Sequence, residues 1–249
     1  MRNLSEYGFR SLAISILLTL SAIISAQETT PIPENEGAKK SPVSAILASD
    51  LVNQYIWRGQ DLGNVSWQPT LGIEWKGLSL SAWGSVGISN WADTKELDLT
   101  LSYTYKGFYV GITDYWTDGS NYFLYKNGES NHIWEAGIGY DFGFLSISWY
   151  TNFAGADGVN GSGNRAYSSY FELKAPFRLG GLEWEGAIGM VPWKTTTYNT
   201  DGFAVTNVSL KATKDFVIKE KFHLPVFAGL TANPDSKKFY LLCGISFYL

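Results

Sequence analysis

Charged and amide side chains in this 249-residue chain recur at alternate positions over many short segments, not in compact clusters. The acids are Asp50, Glu74, Glu96, Asp98, Glu135, Asp141, Glu172, Glu183 and Glu185. The bases are Arg58, Lys76, Lys106, Lys174 and Lys211, and Gln54 falls on the parity of Asp50 and Arg58. Side chains two apart on an extended chain share a face, so these groups form one hydrophilic face assembled from many segments. The chemistry open to such a face is solvation: lining a wet passage and touching ions or small hydrophilic solutes. Its excess of acids predicts a mild cation preference. Arg58 is expected at a constriction or in a structural ion pair, with Asp98 or Glu74 across the passage. Trp83, Tyr109, Tyr115 and Tyr150 share the face and would narrow the passage.

Other chemistries find less support. Hydrolysis needs a nucleophile beside a base. The two histidines are His132 and His223, and Ser130 precedes His132 by two positions, a spacing that does not by itself make a hydrogen-bonded pair. A barrel enzyme of the lipid-hydrolase type is therefore the alternative, with a plugged barrel acting in surface recognition through Tyr122, Phe123 and Tyr125 as a further one. No glycine-rich phosphate loop opens a helix, and no His/Cys group has metal-ligand spacing, so neither cofactor nor metal is expected. Cys243 is the single cysteine, so no intrachain disulfide can form. A net charge of −4 argues against a nucleic-acid partner.

The elements that must carry this face are strands. In residues 67–76, Trp67, Leu71, Ile73 and Trp75 alternate with Gln68, Thr70, Glu74 and Lys76. Residues 78–89, 97–106 and 108–116 repeat the zigzag, as do 43–58, 132–141, 145–153, 167–175, 182–190, 204–214, 222–230 and 239–249. A helical period would scatter Leu and Thr around the cylinder. The connections alternate in length. Residues 76–77, 106–107, 141–143 and 179–181 are tight. Residues 59–65, 90–95, 117–131, 154–164, 195–202 and 233–238 are looser, and 214–221 is long for a tight turn. The expected fold is all-β: a transmembrane up-and-down antiparallel barrel of about 12 strands (range about 10–14) with long outer loops and short inner turns. A soluble β-sandwich or lipocalin-like fold would show the same alternation.

Aromatics decide between them. Trp57, Trp67, Trp75, Tyr103, Tyr105, Trp116, Trp134, Tyr140 and Trp184 sit near segment ends on the apolar parity. That is where membrane-interface belts place an apolar body with a polar tip. Asp114 is the one acid on that parity, near the outer end of its segment. Arg2 and Arg10 flank an apolar stretch at residues 12–24, and Ala26 offers a cleavage point, so residues 1–26 read as a secretory signal peptide. Residues 27–42 then read as a flexible periplasmic leader and 43–249 as one barrel domain. Residues 244–249 (GISFYL) end on an apolar residue with aromatics just before it, which resembles the C-terminal signal read by the outer-membrane insertion machinery, with Leu249 where that signal usually has Phe.

Tyr55-Ile56-Trp57-Arg58-Gly59, followed by Gln68-Pro69, Trp83-Gly84-Ser85 and Glu96-Leu97-Asp98, resembles the TorF-like porin family of Gram-negative bacteria. The match covers roughly the first third of the mature chain, and four residues separate Ser49-Asp50 from Tyr55 where that family runs straight on. The resemblance implies an outer-membrane barrel enclosing a pore and names no solute. The expected partners are outer-membrane lipid, the insertion machinery and small solutes.

Overall fold

The computed structural model describes residues 43–118, 121–126, 128–218 and 222–248. The signal-peptide and leader readings, and Leu249, lie outside them. No helix occurs among the described residues. The wall strands are β1 (Val43–Val52), β4 (Ser66–Trp75), β5 (Leu78–Gly87), β6 (Glu96–Tyr105), β7 (Phe108–Thr117), β8 (His132–Asp141), β9 (Ser146–Gly155), β10 (Ser169–Leu179), β11 (Leu182–Val191), β12 (Ala204–Ile218), β13 (Phe222–Asn233) and β14 (Lys238–Tyr248). These twelve close into one antiparallel barrel in which each strand lies beside its chain neighbours and β14 returns to β1. Two short strands, β2 (Tyr55–Trp57) and β3 (Gln60–Gly63), pair only with each other.

The burial pattern is inverted relative to a water-soluble domain. Leu71, Ile73, Leu80, Leu101, Val110, Ile112, Ile138 and Leu241 are exposed on the outer surface, whereas Asp50, Gln68, Asp98, Thr100, Glu135 and Ser246 are buried inside. This is the arrangement a membrane-spanning sheet requires, since a closed sheet pairs every backbone group without an edge. The tryptophans and leucines are therefore not packed between two sheets, and the barrel is the fold.

Inner turns follow the sequence. Lys76-Gly77 and Lys106-Gly107 take positive φ at both positions (50° and 86°, 49° and 84°), the type I′ geometry whose twist suits a two-residue hairpin. The connection expected at 214–221 is shorter than it looked. β12 and β13 run on in register to Ile218↔Phe222, because Asp215–Ile218 continues the strand and does not turn.

The closing seam is built differently from the others. β1 pairs with β4 along its whole length but meets β14 only from Ala48↔Tyr248 to Val52↔Gly244. Where β1 leaves the wall, Asn53 substitutes for the missing strand. Its backbone N–H donates to the Cys243 carbonyl (3.0 Å), its Nδ2 donates to the Leu241 carbonyl (2.9 Å), and its Oδ1 accepts the Cys243 N–H (2.7 Å). Asn53→Ala removes two of these bonds, worth about 1–3 kcal/mol together. It should lower the temperature at which the folded form loses its faster migration in SDS gels. An unchanged transition would show that the seam does not depend on this side chain.

Candidate functional site: a hairpin pinned inside the lumen

The sequence element with the strongest pattern does not lie in the wall. After Val52 the chain turns inward, and β2 and β3 form a hairpin that crosses the lumen. Its tip is Arg58-Gly59, at φ 49° and 79°, the same basic-residue–glycine turn as at the inner rim. Gly59 lies so close to β12 that a Cβ would stand 1.8 Å from the Thr206 carbonyl oxygen. Asn233 on β13 donates its Nδ2 to the Gly59 carbonyl (3.0 Å). Near the base, the Tyr55 hydroxyl donates to Glu96 (2.8 Å), Gln54 donates to Asp61 (3.0 Å), and Asp93 accepts the Asn64 N–H (2.9 Å).

Arg58 at the tip is held on every side. Its guanidinium makes a two-pronged pair with Glu135 on β8, Nη1 to Oε2 at 2.5 Å and Nη2 to Oε1 at 2.9 Å. Nη1 also donates to the Tyr198 hydroxyl (2.6 Å), and the Tyr115 hydroxyl donates to Glu135 (2.9 Å). The rings of Trp57, Tyr150 and Tyr170 lie 4.4, 4.4 and 4.6 Å from the guanidinium carbon. Planar stacking together with a fork-to-carboxylate pair is chemistry that arginine performs and lysine does not. The side chains of Arg58 and Glu135 are 9% and 3% exposed, so removing either leaves its partner's charge buried and unpaired.

The surrounding rings fit because glycines face them. A Cβ on Gly189 would meet the Tyr170 hydroxyl at 1.8 Å, and one on Gly137 would meet the Tyr150 ring at 2.9 Å. Two outer loops supply the rest. Residues 156–168 and 192–203 are laced together by Gly158 N–H to Thr197 Oγ1 (2.9 Å), Thr196 N–H to the Val159 carbonyl (3.1 Å) and Ser168 with Thr195 and Thr197 (2.5 and 2.9 Å). This lacing lowers Tyr198 into the lumen, stacked on Trp57 and Tyr170 with 5.9 Å between centroids in each case. On the exposed side of the second loop, the Lys194 ammonium lies 2.7 Å from Asp201 and holds that carboxyl below its ordinary range.

Beside the hairpin lies a cavity of about 230 Å³, lined by Asp50, Gln54, Arg58, Trp83, Asp98, Tyr109, Glu135, Glu172, Lys174, Glu185 and Lys211, among others. With Arg58 and Glu135 paired to each other, Asp50, Asp98, Glu172 and Glu185 face Lys174 and Lys211. Glu172 accepts from Tyr170 (3.0 Å) and lies 3.3 Å from Lys174.

Several expectations are corrected here. The first wall strand ends at Val52, not Arg58, and residues 59–65 contain β3. Trp57 is not in a membrane belt and Tyr55 is not on the lipid face: both rings lie inside, because the chain bends at Asn53 while its alternation continues unbroken. Arg58 pairs with Glu135, not with Asp98 or Glu74. Glu74 is exposed at the inner end of β4, and Glu183 is exposed beside Arg178 (2.6 Å), so neither is near the hairpin. Lys76 and Lys106 are turn residues whose ammonium groups lie 5.2 Å from the outward rings of Trp75 and Tyr105. Tyr170 and Tyr198 are members of the cluster that the sequence reading missed, and the inward glycines opposite the tyrosines were the available signal. On the exterior, Trp67, Trp75, Tyr103, Tyr105 and Tyr140 are exposed and Trp116, Trp134 and Trp184 are half-buried. Trp67 donates to Ser49 (2.6 Å) and Trp184 to the Leu179 carbonyl (3.0 Å).

Asp114, the acid on the outward parity, is buried. It contacts His132 Nδ1 at 2.8 Å, the other ring nitrogen donates to the Tyr122 carbonyl (2.6 Å), and Tyr125 stacks on the imidazole at 4.2 Å. Ser130 Oγ accepts the backbone N–H of His132 (3.1 Å). Both ring nitrogens are thus engaged away from the serine, which is not the arrangement of a nucleophile and its base. Among the described residues no three His, Cys, Asp or Glu side chains gather as a metal site.

No family model matches the sequence, and no curated protein matches it. Among solved structures the chain is similar to a KdgM porin in complex with disordered oligogalacturonate, at 12% identity and TM-score 0.45 over 83% of this chain and 99% of that one. It is also similar to the NanC porin, at 9% and 0.44 over 83% and 100%. The outer membrane protein opdK of Pseudomonas aeruginosa follows at 11% and 0.34 over 85% and 67%. At these identities the likeness says nothing about a solute.

Proposed function

We propose that this chain is an outer-membrane channel of the porin kind, passing small hydrophilic solutes or ions through a lumen narrowed by its own inward hairpin. The observation that carries this reading is the charged, tyrosine-lined lumen of a barrel whose exterior is apolar, with Arg58 fixed at the point where the hairpin crosses. The same reading takes residues 1–26 as a signal peptide, 27–42 as a periplasmic leader, outer-membrane lipid as the surroundings, and residues 244–249 as the strand offered to the insertion machinery. Membership of the TorF-like porin family also belongs to this proposal. Its support is that the Tyr55–Gly59 element forms the hairpin at the heart of the lumen.

The test is single-channel current from purified protein in planar bilayers. The wild type should give small, discrete steps, because the hairpin occupies much of the cross-section. In a potassium chloride gradient the reversal potential should carry the sign of cation preference, since Asp50, Asp98, Glu172 and Glu185 outnumber Lys174 and Lys211. Replacing Glu172 and Glu185 by glutamine should move that potential towards zero, and an anion-selective wild type would reject the assignment. The depth of the hairpin also favours a second reading, a sealed barrel acting in surface recognition. Silence from the wild type and from hairpin-unseating variants would select it.

A further inference from the structure

On the outer surface, at the outer end of the β8–β9 pair, a niche of about 370 Å³ is lined by Tyr125, Ser130, His132, Trp134, Phe153 and Arg165. Its floor is apolar and faces away from the lumen. The register of β8 on β9 slips between Trp134↔Ala154 and Glu135↔Asn152, which leaves Phe153 without a partner and turns its ring outward, 43% exposed. Its rim is polar. Arg165 reaches it from the 156–168 loop, and its Nη1 is buried with no hydrogen-bond partner. A buried guanidinium N–H lacking an acceptor is unfavourable and calls for an anion. The carboxylates nearby are engaged elsewhere, Asp114 with His132 and Glu129 with Lys126, and Ser130 is neutral.

We propose that this niche binds the anionic headgroup of a membrane lipid, with Arg165 as the anion contact and Trp134 and Phe153 against the first carbons of its chains. A planar guanidinium matches a phosphate with two parallel hydrogen bonds. The apolar floor continues into the lipid-facing wall, so the ligand has a charged end and a greasy one. A free phosphate would use only the rim. The proposal rests on the membrane orientation of the exterior and not on the lumen's being open.

The experiment is native mass spectrometry of the full chain folded in an uncharged detergent, titrated separately with phosphatidylglycerol, phosphatidylcholine and inorganic phosphate. One phosphatidylglycerol should be retained in preference to phosphatidylcholine. Arg165→Gln should weaken that retention by about tenfold, and Phe153→Ala should weaken it as well. Arg165→Lys keeps the charge without the fork; it should weaken retention less, and it replaces the glutamine variant if that does not fold. Equal retention by wild type and the Arg165 variants overturns the proposal. So does displacement of the lipid by inorganic phosphate at comparable concentration, which would make the niche a free-anion site. Lipid retention is read whether or not the protein conducts, so this result and the bilayer result fail independently.

Discussion

Arg58→Ala is expected to turn a small, steady conductance into a larger and noisier one. The guanidinium is the hub of the hairpin's attachment: it binds Glu135 through two nitrogens, accepts the stacking of three rings and donates to Tyr198. Without it Glu135 keeps only the Tyr115 hydroxyl and becomes an unpaired buried carboxylate. Breaking one side of such a pair costs about 3–5 kcal/mol. Near the tip a further hydrogen bond runs from Asn233 to Gly59; others lie towards the base, from Tyr55 to Glu96, from the Thr94 N–H to the Leu62 carbonyl and from Asn64 to Asp93, at about 1 kcal/mol per bond. The hairpin should therefore leave its seat for part of the time, and the single-channel current should rise severalfold with frequent transitions. Glu135→Gln should act in the same direction. Arg58→Ala combined with Glu135→Ala should recover thermal stability without restoring the small step, because both buried charges are gone but the pin is too. Wild-type conductance from Arg58→Ala would mean that the hairpin is held by its backbone and that Arg58 is incidental.

Gly59→Ala tests the same hairpin from the backbone, with Arg58 intact. The residue sits at φ 79° with the Thr206 carbonyl oxygen 1.8 Å from where a Cβ would be. An alanine meets a left-handed conformation that costs about 1–2 kcal/mol and a backbone atom that cannot move without distorting β12. Gly143 is the control. It has φ 85° and nothing within 4 Å of its notional Cβ, so Gly143→Ala carries the conformational cost alone. Tryptic cleavage after Arg58 reads the outcome directly. The wild type and Gly143→Ala should resist cleavage there, since the Arg58 side chain is only 9% exposed. Gly59→Ala should be cut and should show the enlarged current. Protection of Gly59→Ala would show that the turn adjusts in place.

Much of the architecture was legible because the sheet period is two. A strand between water and lipid must alternate, and the alternation alone places Leu71, Ile73, Leu101 and Ile138 outward and Gln68, Asp98, Thr100 and Glu135 inward. Tight and loose connections alternated for an equally plain reason: antiparallel neighbours joined by two residues need the positive φ that Lys76-Gly77 and Lys106-Gly107 supply. The same reasoning went wrong at residues 53–58, where parity was carried through a bend. Alternation records which side chains share a face and not whether that face still belongs to the wall. The warning was present in Arg58-Gly59, a basic residue and glycine like the two inner turns, which marks a second hairpin.

Sequence by itself determined the class of the fold, the strand count and the two faces of each wall strand, because those follow from local periodicity and turn chemistry. Tertiary structure alone decided that Trp57 and Tyr55 point into the barrel, that Arg58 pairs with Glu135 77 residues away, and that Tyr198 descends from a loop to meet them. Those contacts depend on how wide the closed barrel is and on which glycines leave room inside it. Both are properties of all twelve strands together, and no single segment encodes them.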